Sequence, residues 1–227
     1  MKSRYLFEPT DFRDVIGQRT AKSAMKAALK KDDFPQNYLL LGPPGVGKTT
    51  LGKCLERAIN CENYNVDSFL SCGTCWSCRS DAGRKVERAP KIMQDGMRII
   101  ERQLCNLRGR KNIILIDEVH SWSHPAQDRF LSALDRRSSK SMLILAGTID
   151  INTSQIISTT FTEAFTSRCE VLYLESLSEK SLTKIICRHA KRLCESISIK
   201  DARAIARHRF GNAREAMKLY RTHSLLL

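Results

Sequence analysis

The sequence predicts an α/β fold, in which a parallel β-sheet is covered by helices on both faces and is followed by a small helical domain. Short apolar runs typical of buried strands alternate with helical patterns, and a glycine-rich loop joins the first run to a helix. Strands that are apolar on both faces belong to covered parallel sheets. Because only helical patterns follow residue 176, we expect an α/β core at residues 1–176 and a small helical domain, called the lid below, at residues 177–227.

Four short apolar runs are predicted to be the strands of this sheet. Each has the length of a strand and is flanked by polar or turn-forming residues. The runs are residues 38–41, 111–118, 141–147 and 170–174. Helices that cover the sheet are predicted at residues 19–31, 49–60, 92–107 and 125–135. Residues 1–18 are predicted to be an extended arm and residues 61–85 a loop.

The lid is predicted to contain three short helices. Apolar residues at helical spacing follow Ser178, whose hydroxyl suits an N-cap. A second helix is expected to begin after Ser198 and to end before Gly211, and a third to begin with Asn212 as its cap.

The glycine-rich motif carries the strongest functional signal. It fits G-x-x-x-x-G-K-[ST], a phosphate-binding loop, in the strand–loop–helix context that this motif requires. Its glycines let backbone N–H groups surround a polyphosphate, and the helix N-terminus adds its positive dipole end. Lys48 would reach the β- and γ-phosphates and Thr49 would bind Mg²⁺, whereas a purely structural turn has no need of this pair. The residues expected to contact ATP are Gly42, Pro43, Pro44, Gly45, Val46, Gly47, Lys48, Thr49 and Thr50.

Acidic residues at the end of the second apolar run complete a predicted site for phosphoryl transfer. Asp117 is placed to hold Mg²⁺ together with Thr49, and Glu118 to orient and deprotonate the attacking water. Two acids could also merely start a turn, but the phosphate-binding loop upstream favours catalysis. Thr148 ends the next run, where it either contacts the water or γ-phosphate or is an ordinary strand-end threonine.

Four of the nine cysteines form the motif C-x10-C-x2-C-x2-C. They are Cys61, Cys72, Cys75 and Cys78. The short spacings let one turn supply three thiolates and the longer loop return the fourth, as in tetrahedral zinc sites. We expect a structural Zn²⁺ site, with an iron–sulfur cluster or unrelated thiols as the alternatives. The other five cysteines are interpreted as core or surface residues of a protein in a reducing compartment.

Two arginines are candidates for contact with the transition state. Arg168 precedes the last predicted strand and could reach the nucleotide site of a neighbouring subunit, as an arginine finger does. Arg214 opens the last predicted helix and could contact the γ-phosphate in its own subunit. From its position alone, either arginine could instead be a basic residue with no catalytic role.

The net charge of +14 is concentrated in two parts of the chain. Residues 79–111 hold ten Lys/Arg against four Asp/Glu, and residues 176–227 hold twelve against four. Such blocks are typical of surfaces that bind a polyanion such as DNA, with solvated helix faces as the alternative. No run approaches the roughly 18 apolar residues of a membrane span. Because the polar N-terminus also lacks a secretory leader, we expect a cytoplasmic protein with no membrane partner.

Together these residues resemble the AAA+ clamp-loader ATPases, and most closely those of the bacterial DNA polymerase III gamma/tau type. The resemblance spans nearly the whole chain. The cysteine module inside such a core, combined with Ser-Arg-Cys, is specific to this family, whereas the phosphate-binding loop alone is not. The matching segments are residues 12–18, 42–49, 72–75, 115–120, 148, 167–169 and 211–215.

The resemblance implies roles that spacing alone does not give. Val15 and Ile16 would line the adenine pocket, Thr148 would be sensor 1, Arg168 the finger acting in trans and Arg214 sensor 2. The implied partners are other clamp-loader subunits in a homo- or hetero-oligomer, a sliding clamp and primer–template DNA.

The leading hypothesis is therefore an ATP-hydrolysing subunit that loads a sliding clamp onto primer–template DNA in a bacterial or phage-infected cell. A Holliday-junction branch-migration motor shares the phosphate-binding loop, but the cysteine module and Ser-Arg-Cys speak against it. An ATP-switched DNA-binding adaptor is a further alternative. It is favoured somewhat because we expect this chain to lack the clamp loaders' helical collar domain. Residues 86–90 also depart from the family's acidic-Ala-Ala-Ser segment.

Overall fold

A parallel sheet forms the centre of the fold. The computed structural model describes residues 8–79, 85–88, 112–135, 141–149, 160–208 and 211–224. In this part of the chain the five strands lie in the order β2-β3-β4-β1-β5, and all neighbouring pairs are parallel. The strands are β1 (Asn37–Gly42), β2 (Lys85–Arg88), β3 (Asn112–Asp117), β4 (Ser141–Thr148) and β5 (Glu170–Tyr173). The predicted parallel α/β sheet is confirmed.

The edge strand β2 was not among the four predicted strands. Its sequence, Lys-Val-Glu-Arg, contains one apolar residue and has no run that would indicate a buried strand. It pairs with β3 along one side only, from Lys85 opposite Ile114 to Arg88 opposite Asp117. Pairing with β3 therefore determines that these residues form a strand. The prediction of a loop at residues 61–85 is wrong at its end, and it is also wrong at Trp76–Arg79, which form one helical turn. The helix predicted at residues 92–107 lies outside the described residues.

Helices precede, connect and follow the strands. Those that precede or connect the strands are α1 (Arg19–Lys31), α2 (Lys48–Asn60), α3 (Trp76–Arg79), α4 (His124–Asp135) and α5 (Glu163–Thr166). Those that follow β5 are α6 (Glu179–Arg192), α7 (Ile199–Arg207) and α8 (Ala213–Ser224). A single 3₁₀ turn, Val119–Ser121, follows β3. Among the described helices, none has the length and apolar character needed to cross a bilayer.

Both faces of the sheet are buried, as the continuous apolar runs predicted. Successive side chains of β1 point to opposite faces: Tyr38 and Leu40 join a cluster with α1 and α2, while Leu39 and Leu41 join one with α4 and α5. The second cluster contains stacked and tilted aromatic rings, including Phe161 against Phe165 at 5.7 Å between ring centroids. These two layers hold the strand ends in fixed positions.

The last three helices pack around an apolar cluster of their own, which includes Leu182, Ile186 and Tyr220. The predicted caps are confirmed, since Ser178 Oγ accepts from Ser181 N–H and Asn212 Oδ1 accepts from Glu215 N–H. Ser198 caps α7 in the same way. The boundary between core and lid at residue 176 stays a prediction.

Candidate nucleotide-binding site and cysteine cluster

Most of the predicted nucleotide-site residues meet at the carboxyl edge of the sheet. β1 ends at Gly42, β3 at Asp117 and β4 at Thr148, and these three strands are adjacent. Ligands of open parallel sheets bind beyond this edge. The fold therefore brings together residues that are far apart in the sequence.

The glycine-rich loop leaves the N-terminus of α2 open to an anion. Gly47 precedes the helix with φ 100°, a left-handed conformation that favours glycine, and a Cβ at this position would have no neighbour within 4 Å. No side chain caps the first turn of α2. The first N–H groups of the helix therefore have no side-chain acceptor, which is the arrangement that suits a phosphate.

Lys48 is buried in this loop and bound to its backbone. Its Nζ donates to the carbonyl oxygens of Gly42 at 2.8 Å and Pro43 at 2.7 Å. Burial lowers the pKa of Lys48 to about 8, although the carboxylates of Asp117 and Glu118 act in the opposite direction. The ammonium group is thus held at the loop by two carbonyl oxygens. A bound phosphate could replace these carbonyls as its hydrogen-bond acceptor.

Thr49 and Asp117 form the predicted magnesium-binding pair. The Thr49 hydroxyl donates to Asp117 Oδ2 at 2.7 Å, and the other carboxylate oxygen accepts from the Glu118 N–H at 2.9 Å. A hydroxyl and a carboxylate beside a phosphate-binding loop are the donor set that Mg²⁺ uses in such sites. The residues present therefore fit ATP with Mg²⁺.

Glu118 stands beside this pair on a tightly turned backbone. Its φ of 64° is left-handed, and its side chain remains 53% exposed. His120, in the following 3₁₀ turn, places Nε2 at 3.4 Å from Glu118 Oε2. Nδ1 of the same imidazole accepts from the Thr148 backbone N–H at 3.0 Å. The ends of β3 and β4 are thereby joined through one side chain.

The lid contacts the phosphate-binding loop directly. The Ala213 N–H donates to the Gly45 carbonyl at 3.0 Å, and a Cβ on Gly45 would lie 1.8 Å from Asn212 Oδ1. Arg214 follows these residues at the start of α8, and its charge is close enough to contribute to the lowered pKa of Lys48, after the larger effect of burial. Arg214 therefore lies near the phosphate-binding loop, and its contact with the γ-phosphate stays a prediction.

The N-terminal arm packs against the same loop. Val15 is buried in the cluster that contains Val46, and Ile16 is half-buried beside it. Gln18 connects three segments: its Nε2 donates to the carbonyls of Val46 and Glu175, and its Oε1 accepts from the Glu175 N–H. A cavity of about 350 Å³ lies between the start of α1, the end of β5 and the start of the lid.

Arg168 is the predicted site residue that the fold does not bring to this edge. It precedes β5, so it lies at the amino edge of the sheet, where its Nη1 donates to the Ala164 carbonyl at 3.0 Å. Its own carbonyl accepts from Asn37 Nδ2 at 2.8 Å. The exposed guanidinium therefore lies at the edge of the sheet opposite the phosphate-binding loop of the same chain.

The four predicted zinc ligands converge. The Sγ atoms of Cys61, Cys72, Cys75 and Cys78 all lie within 4.8 Å of one another. Four sulfurs at Zn–S distances near 2.3 Å would be about 3.8 Å apart, so small movements would complete a tetrahedron. Backbone N–H groups of Cys75 and Thr74 lower the pKa of the Cys72 thiol to about 5, whereas burial raises that of Cys78 to about 12. The cluster is compatible with zinc.

Comparison with protein families identifies the fold as a known one. Residues 38–177 match the family model described as "ATPase family associated with various cellular activities (AAA)". The chain belongs to this AAA family. It is therefore an ATPase in general terms. Members of this family bind a nucleotide, usually together with Mg²⁺.

Relatives of this AAA ATPase include subunits of bacterial DNA polymerase III. The gamma/tau subunit of Mycoplasma pneumoniae is 26% identical over 198 residues, which are 85% of this chain and 28% of that protein. The gamma subunit of Buchnera aphidicola is 28% identical over 224 residues, which are 94% of this chain and 58% of that protein. The chain thus spans less than two thirds of the length of these relatives. The similarity supports a clamp-loader-like AAA+ ATPase.

Solved structures with the same fold include the RuvB Holliday junction branch migration motor of Thermotoga maritima. It superposes with a TM-score of 0.65 at 23% identity, covering 94% of this chain and 64% of the other. At 23% identity this likeness establishes only that the two proteins share a fold.

Sequence reasoning assigned no role to several buried or half-buried polar residues of this AAA ATPase. Gln18 and His120 lie within the segments that carry the family resemblance, which was the available signal. No sequence signal pointed to Asn37 or Gln127, because most of their hydrogen-bond partners are distant in the sequence. Gln127 is fully buried and binds the carbonyls of Trp122 and Thr160 and the N–H of Thr162, which fixes the segment leading to Arg168.

Proposed function

We propose that this AAA ATPase hydrolyses ATP as a clamp-loader-like subunit, acting in an oligomer on primer–template DNA to load a sliding clamp. The observation that carries the proposal is the meeting of Lys48, the Thr49–Asp117 pair and Glu118 at one edge of the sheet. The similarity to DNA polymerase III gamma/tau subunits supports the clamp-loader assignment.

In the proposed mechanism each residue has a limited task. When bound, ATP would supply the reactive phosphate and Mg²⁺ would neutralise part of its charge. Lys48 would bind the β- and γ-phosphates, while Thr49 and Asp117 would hold the Mg²⁺ ion. Glu118 accepts the proton of the attacking water, and Thr148 and Arg214 contact the γ-phosphate or the water. Val15 and Ile16 hold the adenine next to the loop.

Arg168 is proposed to act in a neighbouring subunit. Its position at the amino edge, opposite its own phosphate-binding loop, supports this role. A cation supplied in trans makes hydrolysis dependent on assembly, because charge in the transition state is neutralised only where two subunits meet. Monomers should then bind ATP and hydrolyse it slowly.

DNA is the proposed polyanion for the basic segments. In the described part of residues 176–227, α6 carries Lys180, Lys184, Arg188, Lys191 and Arg192. Two of these, Arg188 and Arg192, are already near Asp14 Oδ1 at 3.5 and 3.8 Å. Affinity for DNA should fall steeply between 50 and 200 mM salt, because phosphate contacts release counterions. Binding that does not depend on salt would count against DNA as the partner.

A branch-migration motor is the second candidate function. The fold shared with the RuvB motor favours it, while the cysteine cluster favours the clamp-loader assignment. An ATP-switched DNA-binding adaptor would combine tight, ATP-dependent DNA binding with slow turnover. In each case we propose a cytoplasmic protein with a structural Zn²⁺ at the cysteine cluster.

The decisive experiment measures ATP turnover across protein concentrations without DNA, with primer–template DNA and with a four-way junction. Stimulation by the primed end, rising steeply with concentration, would support the clamp-loader assignment. Preference for the four-way junction would support branch migration instead. A Glu118→Gln variant should bind ATP and DNA without turnover, and normal turnover in it would refute the assignment of the catalytic base.

A further inference from the structure

His120 is held between two groups of the proposed catalytic edge. Its Nδ1 accepts the Thr148 backbone N–H at 3.0 Å, and its Nε2 lies 3.4 Å from Glu118 Oε2. The imidazole thereby links the end of β4 to the carboxylate that follows β3.

The contact with Thr148 fixes the tautomer of the imidazole. A neutral imidazole has one acceptor nitrogen and one N–H donor. Because Nδ1 accepts a backbone N–H, the proton must be on Nε2, the nitrogen that faces Glu118. At 3.4 Å this N–H faces the carboxylate just beyond the usual length of a hydrogen bond, so a small movement of Glu118 would let it donate to Oε2.

The local backbone makes this geometry specific. Val119 is fully buried and Trp122 is nearly so, which anchors the 3₁₀ turn on either side of His120. The Ser121 N–H donates to the Glu118 carbonyl at 2.9 Å and closes the turn. The Glu118 side chain is 53% exposed, so it can adopt several rotamers. Holding it in one orientation costs rotamer entropy, and a contact with a neighbouring group is needed to offset that cost.

We propose that His120 is a positioning residue, which holds one oxygen of the Glu118 carboxylate and makes its orientation follow the end of β4. The other carboxylate oxygen is then left to accept a proton from the attacking water. Since Thr148 is the residue proposed to contact the γ-phosphate, a movement at that threonine would be transmitted to Glu118. The inference rests on the proposed ATPase function and adds a link between its sensor and its base.

Three substitutions separate the two contacts of His120. In His120→Asn an amide oxygen can take the place of Nδ1 and keep the Thr148 contact, but the side chain is too short to reach Glu118. In His120→Gln an amide N–H can reach the position of Nε2. His120→Ala removes both contacts. His208→Asn, at an exposed histidine of the lid, is the matched control.

The expected result is a loss in kcat with little change in KM for ATP. His120→Ala and His120→Asn should lower kcat by about 10- to 100-fold, because a misaligned base costs rate and not binding. His120→Gln should recover most of that loss, and His208→Asn should match the unmodified chain. Unchanged kcat in His120→Asn, or a tenfold rise in KM that accounts for the effect, would overturn the proposal.

Nitrogen NMR of histidine-labelled protein tests the contact without any turnover. The His120 resonances, assigned by their loss in His120→Asn, should show a proton on Nε2 and should shift in Glu118→Gln. A proton on Nδ1, or no response to Glu118→Gln, would overturn the proposal. If the unmodified chain showed no ATPase activity, the proposed function would fail, and the NMR result would still decide whether His120 holds Glu118.

Discussion

The Thr49 hydroxyl donates a 2.7 Å hydrogen bond to Oδ2 of Asp117, although 68 positions separate the two residues. One residue lies in the first turn of α2 and the other ends β3, two places away from β1 in the sheet. The order of the strands thus brings the two predicted magnesium-binding groups into contact without a ligand between them. The bond also aims the carboxylate at the open N-terminus of α2.

Replacing Asp117 should affect metal-dependent turnover more than nucleotide binding. In Asp117→Asn the amide lacks the negative charge that Mg²⁺ prefers, so the Mg²⁺ concentration for half-maximal turnover should rise at least about tenfold. Nucleotide affinity in the absence of Mg²⁺ should change little. A magnesium titration of ATPase activity measures the first effect, and fluorescent-nucleotide binding in EDTA measures the second. An unchanged magnesium requirement would remove Asp117 from the proposed shell.

Arg168 should be needed for hydrolysis but not for ATP binding. Arg168→Ala removes the exposed cation and should lower turnover at least about 1,000-fold, the range found for arginine fingers. Mixing it with Lys48→Ala should restore part of the activity, since each variant supplies what the other lacks at a shared interface. Neither variant alone should be active. Absence of any rescue, despite mixed assembly seen by crosslinking, would argue against action in trans.

The cysteine cluster should bind one metal ion that stabilises the fold locally. The cluster is tied to the core because Cys61 follows α2 directly and the Ser71 N–H donates to Asp11 Oδ1 at 2.8 Å. Elemental analysis should find about one zinc per chain, and Cys75→Ser should lose it and melt at least about 5 °C lower. Cys194→Ser, at an exposed cysteine outside the cluster, is the control. Iron in place of zinc, or full stability in Cys75→Ser, would contradict the proposal.

Gln18 should stabilise the junction of arm, loop and lid. Gln18→Ala leaves the carbonyls of Val46 and Glu175 and the Glu175 N–H without their side-chain partner. Because unpaired buried groups cost more than the bonds themselves contribute, the free energy of unfolding should fall by about 3 kcal/mol. Urea denaturation measures this loss. Lys200→Ala, at an exposed lysine of α7, should stay within about 0.5 kcal/mol of the unmodified chain.

Local chemistry was sufficient to predict the parallel sheet, the phosphate-binding loop, the helix caps of the lid and the four clustered cysteines. Each depends on neighbours in the sequence: apolar runs long enough to be buried, glycines where φ is positive, polar residues before a helix, and thiols within one loop. The two acids at the end of the β3 run, Asp117 and Glu118, were predictable for the same reason. The meeting of Asp117 with Thr49 was expected because both are predicted Mg²⁺ ligands of one phosphate-binding site.

Tertiary structure alone decided which distant groups meet. The strand β2 exists through its pairing with β3, since four mostly polar residues carry no strand signal of their own. The imidazole of His120 is oriented by a backbone N–H from another strand, and the placement of Arg168 follows from the amino end of β5. Sequence patterns show which residues of a segment are buried, because burial follows the local periodicity of helices and strands. Strand order and side-chain hydrogen bonds between distant segments form only when the whole core packs together.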